Sequence, residues 1–206
     1  MGEGGYNKMI PFRKQKFENA VAYFAFEFNR RKGYYPRQTW IYKFLALLDF
    51  RSLKKTGVPC IGLEYDAMKF GPVPNILYNS RSCLRFKKFK FIETADGGFR
   101  VEPVSKPNLD YFADDEIDLM EEILDDYTRD GVNLDNLIAN AHKEIKAWNK
   151  AWDIAIEYER GRMPMRYEDE FDDLSKKSEN ELTPEEEYFL VYKGMKDIEE
   201  AKKAIS

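Results

Sequence analysis

The 206-residue sequence predicts a mainly α fold: a compact helical domain of six or seven helices around a buried central helix, with one β-hairpin. Three observations predict it. Between Gln38 and Lys55 the apolar residues Trp40, Ile41, Phe44, Leu45, Leu47 and Leu48 cover most of a helix's circumference, the mark of a helix enclosed on all sides. Before and after it, apolar residues recur every three or four positions. Two alternating runs also flank Ala95-Asp96-Gly97-Gly98, a hairpin signal.

Taken in order, Phe17, Val21, Phe24 and Phe28 set one stripe on a helix over 14–32. Arg30, Arg31, Lys32 and Gly33 close it, with positive charge at the negative end of the dipole and Gly for a left-handed cap. The central helix over 38–55 stops at Gly57. Val58 to Phe70 reads as irregular or weakly extended, and Pro72 fits the first turn of a short helix over 72–78. The hairpin lies near 85–104, where Phe86, Phe89 and Phe91 alternate with lysines. From Asp114 or Asp115 as N-cap, a helix carrying Ile117, Met120, Ile123, Leu124 and Tyr127 runs until Gly131. Asn133 opens another through Leu134, Leu137, Ile138 and Ala141. A third follows with Trp148, Trp152, Ile156 and Tyr158 on its apolar face, closed by Gly161 and Pro164. Residues 162–182 are polar, acidic and aperiodic, which reads as a linker or loosely held segment. Thr183-Pro184-Glu185-Glu186 is a capping box with Pro at the first helical position, opening a last helix faced by Tyr188, Phe189, Tyr192, Met195 and Ile198. The expected division is a helical domain over 14–161, then an acidic linker and C-terminal helix over 162–206.

Composition narrows the class. Hydrophobic residues are 43% and aromatics 15%, enough for a core and too much for wholesale disorder. No run approaches the roughly 18 apolar residues of a membrane span. Met1 to Lys8 lacks the apolar stretch of a signal peptide, and the two cysteines, Cys60 and Cys83, form no C-x-x-C, so reduced thiols in a cytoplasmic protein are expected. Charge is split. Residues 1–106 carry 20 Lys and Arg against 9 Asp and Glu, a balance of +11; residues 107–206 carry 13 against 28, a balance of −15. Such blocks mark either two faces that attract each other or a site for a charged partner.

The chain has a single histidine, His142, with Glu144 two residues on. A structural metal needs three or four ligands, and neither cysteine lies at ligand spacing, so no metal and no cofactor are expected. No nucleophile motif accompanies the pair, so no catalytic residue is expected; a hydrolase using His142 and Glu144 is the least favoured reading. A histidine at a helix end, bonded to backbone or carboxylate, accounts for it. Gly71-Pro72-Val73-Pro74 and Asp96-Gly97-Gly98 lack the spacing of a phosphate loop. Lys87, Lys88 and Lys90 among the phenylalanines could dock on nucleic acid, or simply face water while the rings pack inward. Asp169, Glu170, Asp172 and Asp173 around Phe171 suit a basic partner, or a solvated linker. With Tyr188 and Tyr192 from the last helix, Asp169, Glu170, Phe171 and Asp172 are the candidate partner-binding residues.

With these residues in view the chain resembles the Panacea domain, the SocA-like antitoxin family of bacterial and phage toxin–antitoxin modules. The resemblance rests on Lys43, Leu45, Asp49, Leu53, Lys55, Thr56 and Gly57, then on Gly62, Tyr65, Ala67, Phe70, Gly71, Pro72 and Val73. It continues through Leu137, His142, Glu144, Trp148 and Ala151, and spans roughly 17–158. Ala46, Ser52 and Ala141 depart from it, Ala141 standing where a Ser or Thr usually precedes the His and could cap a helix. What the resemblance implies is a non-catalytic antitoxin that neutralises a cognate toxin by direct binding, some members delivering it to a protease. The alternative is a DNA-binding autoregulator of its own operon, drawing on the basic half.

Overall fold

The computed structural model describes residues 10–80 and 86–205; Met1 to Lys8, Cys83 and Arg85 lie outside them. The architecture is the mainly α one predicted, organised around helix α2 (Gln38–Thr56), in which every residue from Trp40 to Phe50 is buried. A helix so apolar must be wrapped, and α1 (Arg13–Lys32), α4 (Asp114–Thr128), α5 (Leu134–Glu144) and α7 (Pro184–Ile205) all pack on it. Phe24, Phe28, Phe44 and Trp40 meet as a run of tilted rings between α1 and α2.

Among the described residues there are also two small antiparallel sheets. β3 (Phe89–Glu93) and β4 (Phe99–Pro103) form the hairpin, with Phe89 and Val101 fully buried toward α1. It begins four residues later than 85: Lys87 and Lys88 spend their backbone N–H groups on the Glu18 carboxylate, while the Lys88 carbonyl still accepts the Val104 N–H at 2.8 Å. The other sheet has strand order β2-β1-β5, from β1 (Tyr65–Met68), β2 (Gly71–Pro74) and β5 (Arg162–Pro164). Here Pro72 sits in a strand and not in a helical turn. β2 is an edge strand, where a residue without an N–H is tolerated, and helix α3 (Asn75–Ser80) starts only after Pro74.

Four further expectations are corrected. α4 begins at Asp114 with Ala113 as N-cap, whose N–H is accepted by Glu116 at 3.0 Å, and ends at Thr128, short of Gly131. In α6 (Lys146–Glu157) the inward face is Ala147, Trp148, Ala151 and Ala155, while Ile156 and Tyr158 are exposed. Small residues let α6 lie close against β1 and β5, and that choice turns the larger side chains outward. The segment 162–182 is not loosely held. β5 pairs with β1, short 3₁₀ turns follow, and the Tyr167 ring packs on Phe50 at 5.1 Å. In α7, Phe189 and Tyr192 are buried, but Tyr188, Met195 and Ile198 face solvent. The capping box stands as expected: Thr183 and Glu186 exchange hydrogen bonds at 3.0 and 3.3 Å.

α7 docks where α2 stops. Gly57 has φ +76°, and a Cβ there would lie 2.2 Å from the Glu185 carbonyl oxygen, so only glycine permits both the left-handed cap and the crossing.

Candidate functional site

The residues singled out by the sequence fall into three places. The first is built on Asp49, fully buried near the middle of α2. Its Oδ1 accepts the N–H groups of Ile61 (2.6 Å) and Gly62 (3.1 Å). Its Oδ2 accepts the Leu63 N–H (3.0 Å) and the hydroxyls of Tyr65 (2.9 Å) and Tyr167 (3.0 Å). Burial pushes this carboxyl above its ordinary range, against the pull of those amides and of Tyr65. One carboxylate thus satisfies an irregular buried loop and ties the 162–182 segment to the central helix.

The second place surrounds Gly71, whose φ of +96° brings the backbone against two side chains. A Cβ at Gly71 would stand 3.2 Å from Lys43 Nζ and 3.1 Å from His142 Nε2. Lys43 is 1% exposed and donates to the Pro72 carbonyl at 2.9 Å; burial pulls its ammonium down to about 7. His142 lies in the last turn of α5, its ring stacked on Trp148 at 3.7 Å and 4°. Trp148 in turn donates its indole N–H to the Met68 carbonyl at 3.1 Å. Burial, then the nearby Lys43, holds the imidazole below its usual pKa. Its Nε2 is buried with no hydrogen-bond partner among the described residues, so the expected bond to backbone or carboxylate is not made by that nitrogen.

The Glu144 carboxylate is taken by Arg51, at 2.7 and 3.0 Å. The structure therefore does not pair Glu144 with His142. Asp126 completes the Arg51 cluster at 3.0 Å. Ala141 is buried in the body of α5, where a hydroxyl would cap no helix start. Among the described residues no group of three His, Cys, Asp or Glu is placed to hold a metal ion.

The third place is a cleft of about 390 Å³ between the turns over 168–175 and α7. Phe171 and Leu174 are its half-buried apolar residues, and the buried Phe189 ring backs Phe171 at 4.7 Å. Glu168, Asp169, Asp172 and Asp173 stand around it with Lys150 and Lys193; Glu168 is also paired with Arg166, and Asp173 with Lys176 at 2.9 Å. Lys193 is held by Glu168 at 2.6 Å, while the side chain of Asp172 is 82% exposed, 3.7 Å from Lys146. Asp169, Phe171 and Asp172 of the candidate partner-binding set meet here. The others do not. Glu170 is turned inward, accepting the Ala147 N–H at 3.0 Å with Lys54 3.5 Å away. Tyr192 is enclosed, and Tyr188 points to solvent on another side of α7.

The hairpin lysines do not present a stacking surface. Phe86 and Phe89 are stacked on each other at 4.3 Å and Phe89 is buried, so these rings are spent on packing.

Residues 41–149 match the family described as antitoxin SocA-like, Panacea domain, which is more than half of the chain. The chain belongs to that family. Its Panacea domain contains the Asp49 hub, the Lys43–Gly71–His142–Trp148 cluster and the Arg51–Glu144 pair, all inside the matched residues. Tyr167, the acidic cleft and α7 lie beyond them. No curated protein and no solved structure matches the chain. Membership in an antitoxin family implies a toxin partner in general and suggests a non-enzymatic role. No described helix is long and apolar enough to cross a membrane.

Tyr167 and the β5 pairing escaped the sequence reading, although a signal was present. Met163, Met165 and Tyr167 alternate with the exposed Arg162, Pro164 and Arg166, the period of a strand.

Proposed function

We propose that this protein neutralises a cognate toxin by direct binding, making and breaking no covalent bond, and that the acidic cleft beside α7 is the contact. The observation that carries the reading is the cleft itself: an apolar patch at Phe171 and Leu174 with the carboxylates of Asp169 and Asp172 beside it, on a chain of an antitoxin family. An aliphatic stem can lie on Phe171 and Leu174 while a guanidinium or ammonium head meets Asp169 and Asp172, the arrangement basic side chains favour. The partner is therefore a toxin with a basic face.

Removing 162–206 is a poor test, because that segment supplies Tyr167 to Asp49 and Phe189 to the core. Point reversals are better. Asp169→Lys with Asp172→Lys should abolish protection of cells expressing the product of the neighbouring gene, while circular dichroism and melting stay at parent values. Full protection by that double variant would remove the cleft from the mechanism.

A further inference from the structure

α7 carries two apolar stripes, and among the described residues only one is covered. Phe189 and Tyr192 face the core, whereas Tyr188, Val191, Met195 and Ile198 are 62, 61, 50 and 56% exposed. Their spacing of three, four and three residues is that of a helix-pairing seam. In the same face sits Gly194, within the helix, where an added Cβ would meet nothing within 4 Å. A glycine there weakens the helix, and no close approach among the described residues requires it.

We propose that this seam binds a second copy of the same chain, the two α7 helices packing antiparallel about a two-fold axis between Gly194 and Met195. The sequence is self-complementary about that point. Val191 opposes Ile198, and Met195 of each copy enters the notch left by Gly194 of the other. Charge selects the same arrangement. Glu187 at one end of the seam meets Lys202 at the other, both exposed, while a parallel pair would set like charges together. The acidic cleft lies on the Leu190 and Lys193 side of α7, so the pairing neither uses it nor depends on the proposal made for it. A single helix pair buries less than the roughly 1,200 Å² of a standard interface, so the association is a weak, reversible one of about micromolar strength.

Sedimentation velocity on the full chain, from low micromolar to near-millimolar loading, is the test. A monomer–dimer equilibrium is expected, weakened at least about tenfold by Val191→Asp with circular dichroism unchanged. Gly194→Ala should move two readouts in opposite directions, raising the melting temperature by about 2–4 °C while weakening the dimer. Glu187→Lys and Lys202→Glu should each weaken it and together restore it. A monomer at every concentration overturns the proposal, as does a dimer indifferent to Val191→Asp. Failure of the double charge swap to restore association overturns the antiparallel register.

Discussion

Lys43 gives the most direct handle on the energetics of the family cluster. It is 1% exposed, makes one hydrogen bond to the Pro72 carbonyl, and has its ammonium pulled from 10.5 down to about 7 by burial. A lysine whose folded pKa is depressed binds fewer protons folded than unfolded throughout the interval between the two values. Stability therefore rises with pH across that interval and is lost as pH falls back toward about 7. At about 1.4 kcal/mol per unit, the gain between about pH 7 and pH 9.5 is about 2–3 kcal/mol. His142, the titratable group beside it, is depressed below its usual range and so is neutral across this window. Lys43→Met keeps an unbranched side chain as far as Cε and removes the titration. It also leaves the Pro72 carbonyl without its donor, at about 1–3 kcal/mol, so the informative quantity is the pH dependence and not the stability at one pH. Urea unfolding at both pH values, for parent and variant, measures it. The parent should gain about 2–3 kcal/mol more than Lys43→Met on going to the higher pH. Parallel behaviour of the two proteins would refute the reasoning, because it would mean that the buried ammonium is not what titrates.

Two other perturbations follow from the packing. Asp49→Ala strips the acceptor from three backbone N–H groups and two phenols, and should cost about 3–5 kcal/mol, read by denaturation and by faster hydrogen exchange at Ile61 to Leu63. Gly57→Ala forces a methyl to within 2.2 Å of the Glu185 carbonyl oxygen at a positive φ, so α7 should be cleaved earlier in limited proteolysis while the α2 core persists.

Much of the fold was legible because its strongest signals are local. The run from Trp40 to Phe50 can only be a buried helix, and the Thr183–Glu186 box marks its helix start whatever packs nearby. What escaped depends on partners distant in sequence. Gly71-Pro72-Val73-Pro74 has helix-start chemistry, and only the neighbouring β1 makes it an edge strand. The acidic 162–182 segment looks unstructured until Asp49 offers it an acceptor 118 residues away. Apolar periodicity found α7 but could not say which of its two stripes turns inward. The choice between Tyr188 and Phe189 is made by the space at the end of α2, next to Gly57.

The same holds for the candidate site. Lys43, Asp49, Gly57, Tyr65, Gly71, Pro72, His142, Glu144 and Trp148 were all visible as a pattern, and the structure shows what each one touches. Asp169, Phe171 and Asp172 were visible as an acidic segment with one ring. That Glu170 turns inward to the Ala147 N–H, and that Phe189 backs Phe171, required the three-dimensional path of the chain.

The central claim is that protection follows from a physical complex made at the acidic cleft. Titration calorimetry between this protein and the purified product of the neighbouring gene measures that most directly. Saturable binding is predicted, weakening as salt is raised and falling at least about tenfold with Asp169→Lys and Asp172→Lys together. Protection of cells with no detectable binding between the purified proteins would contradict it.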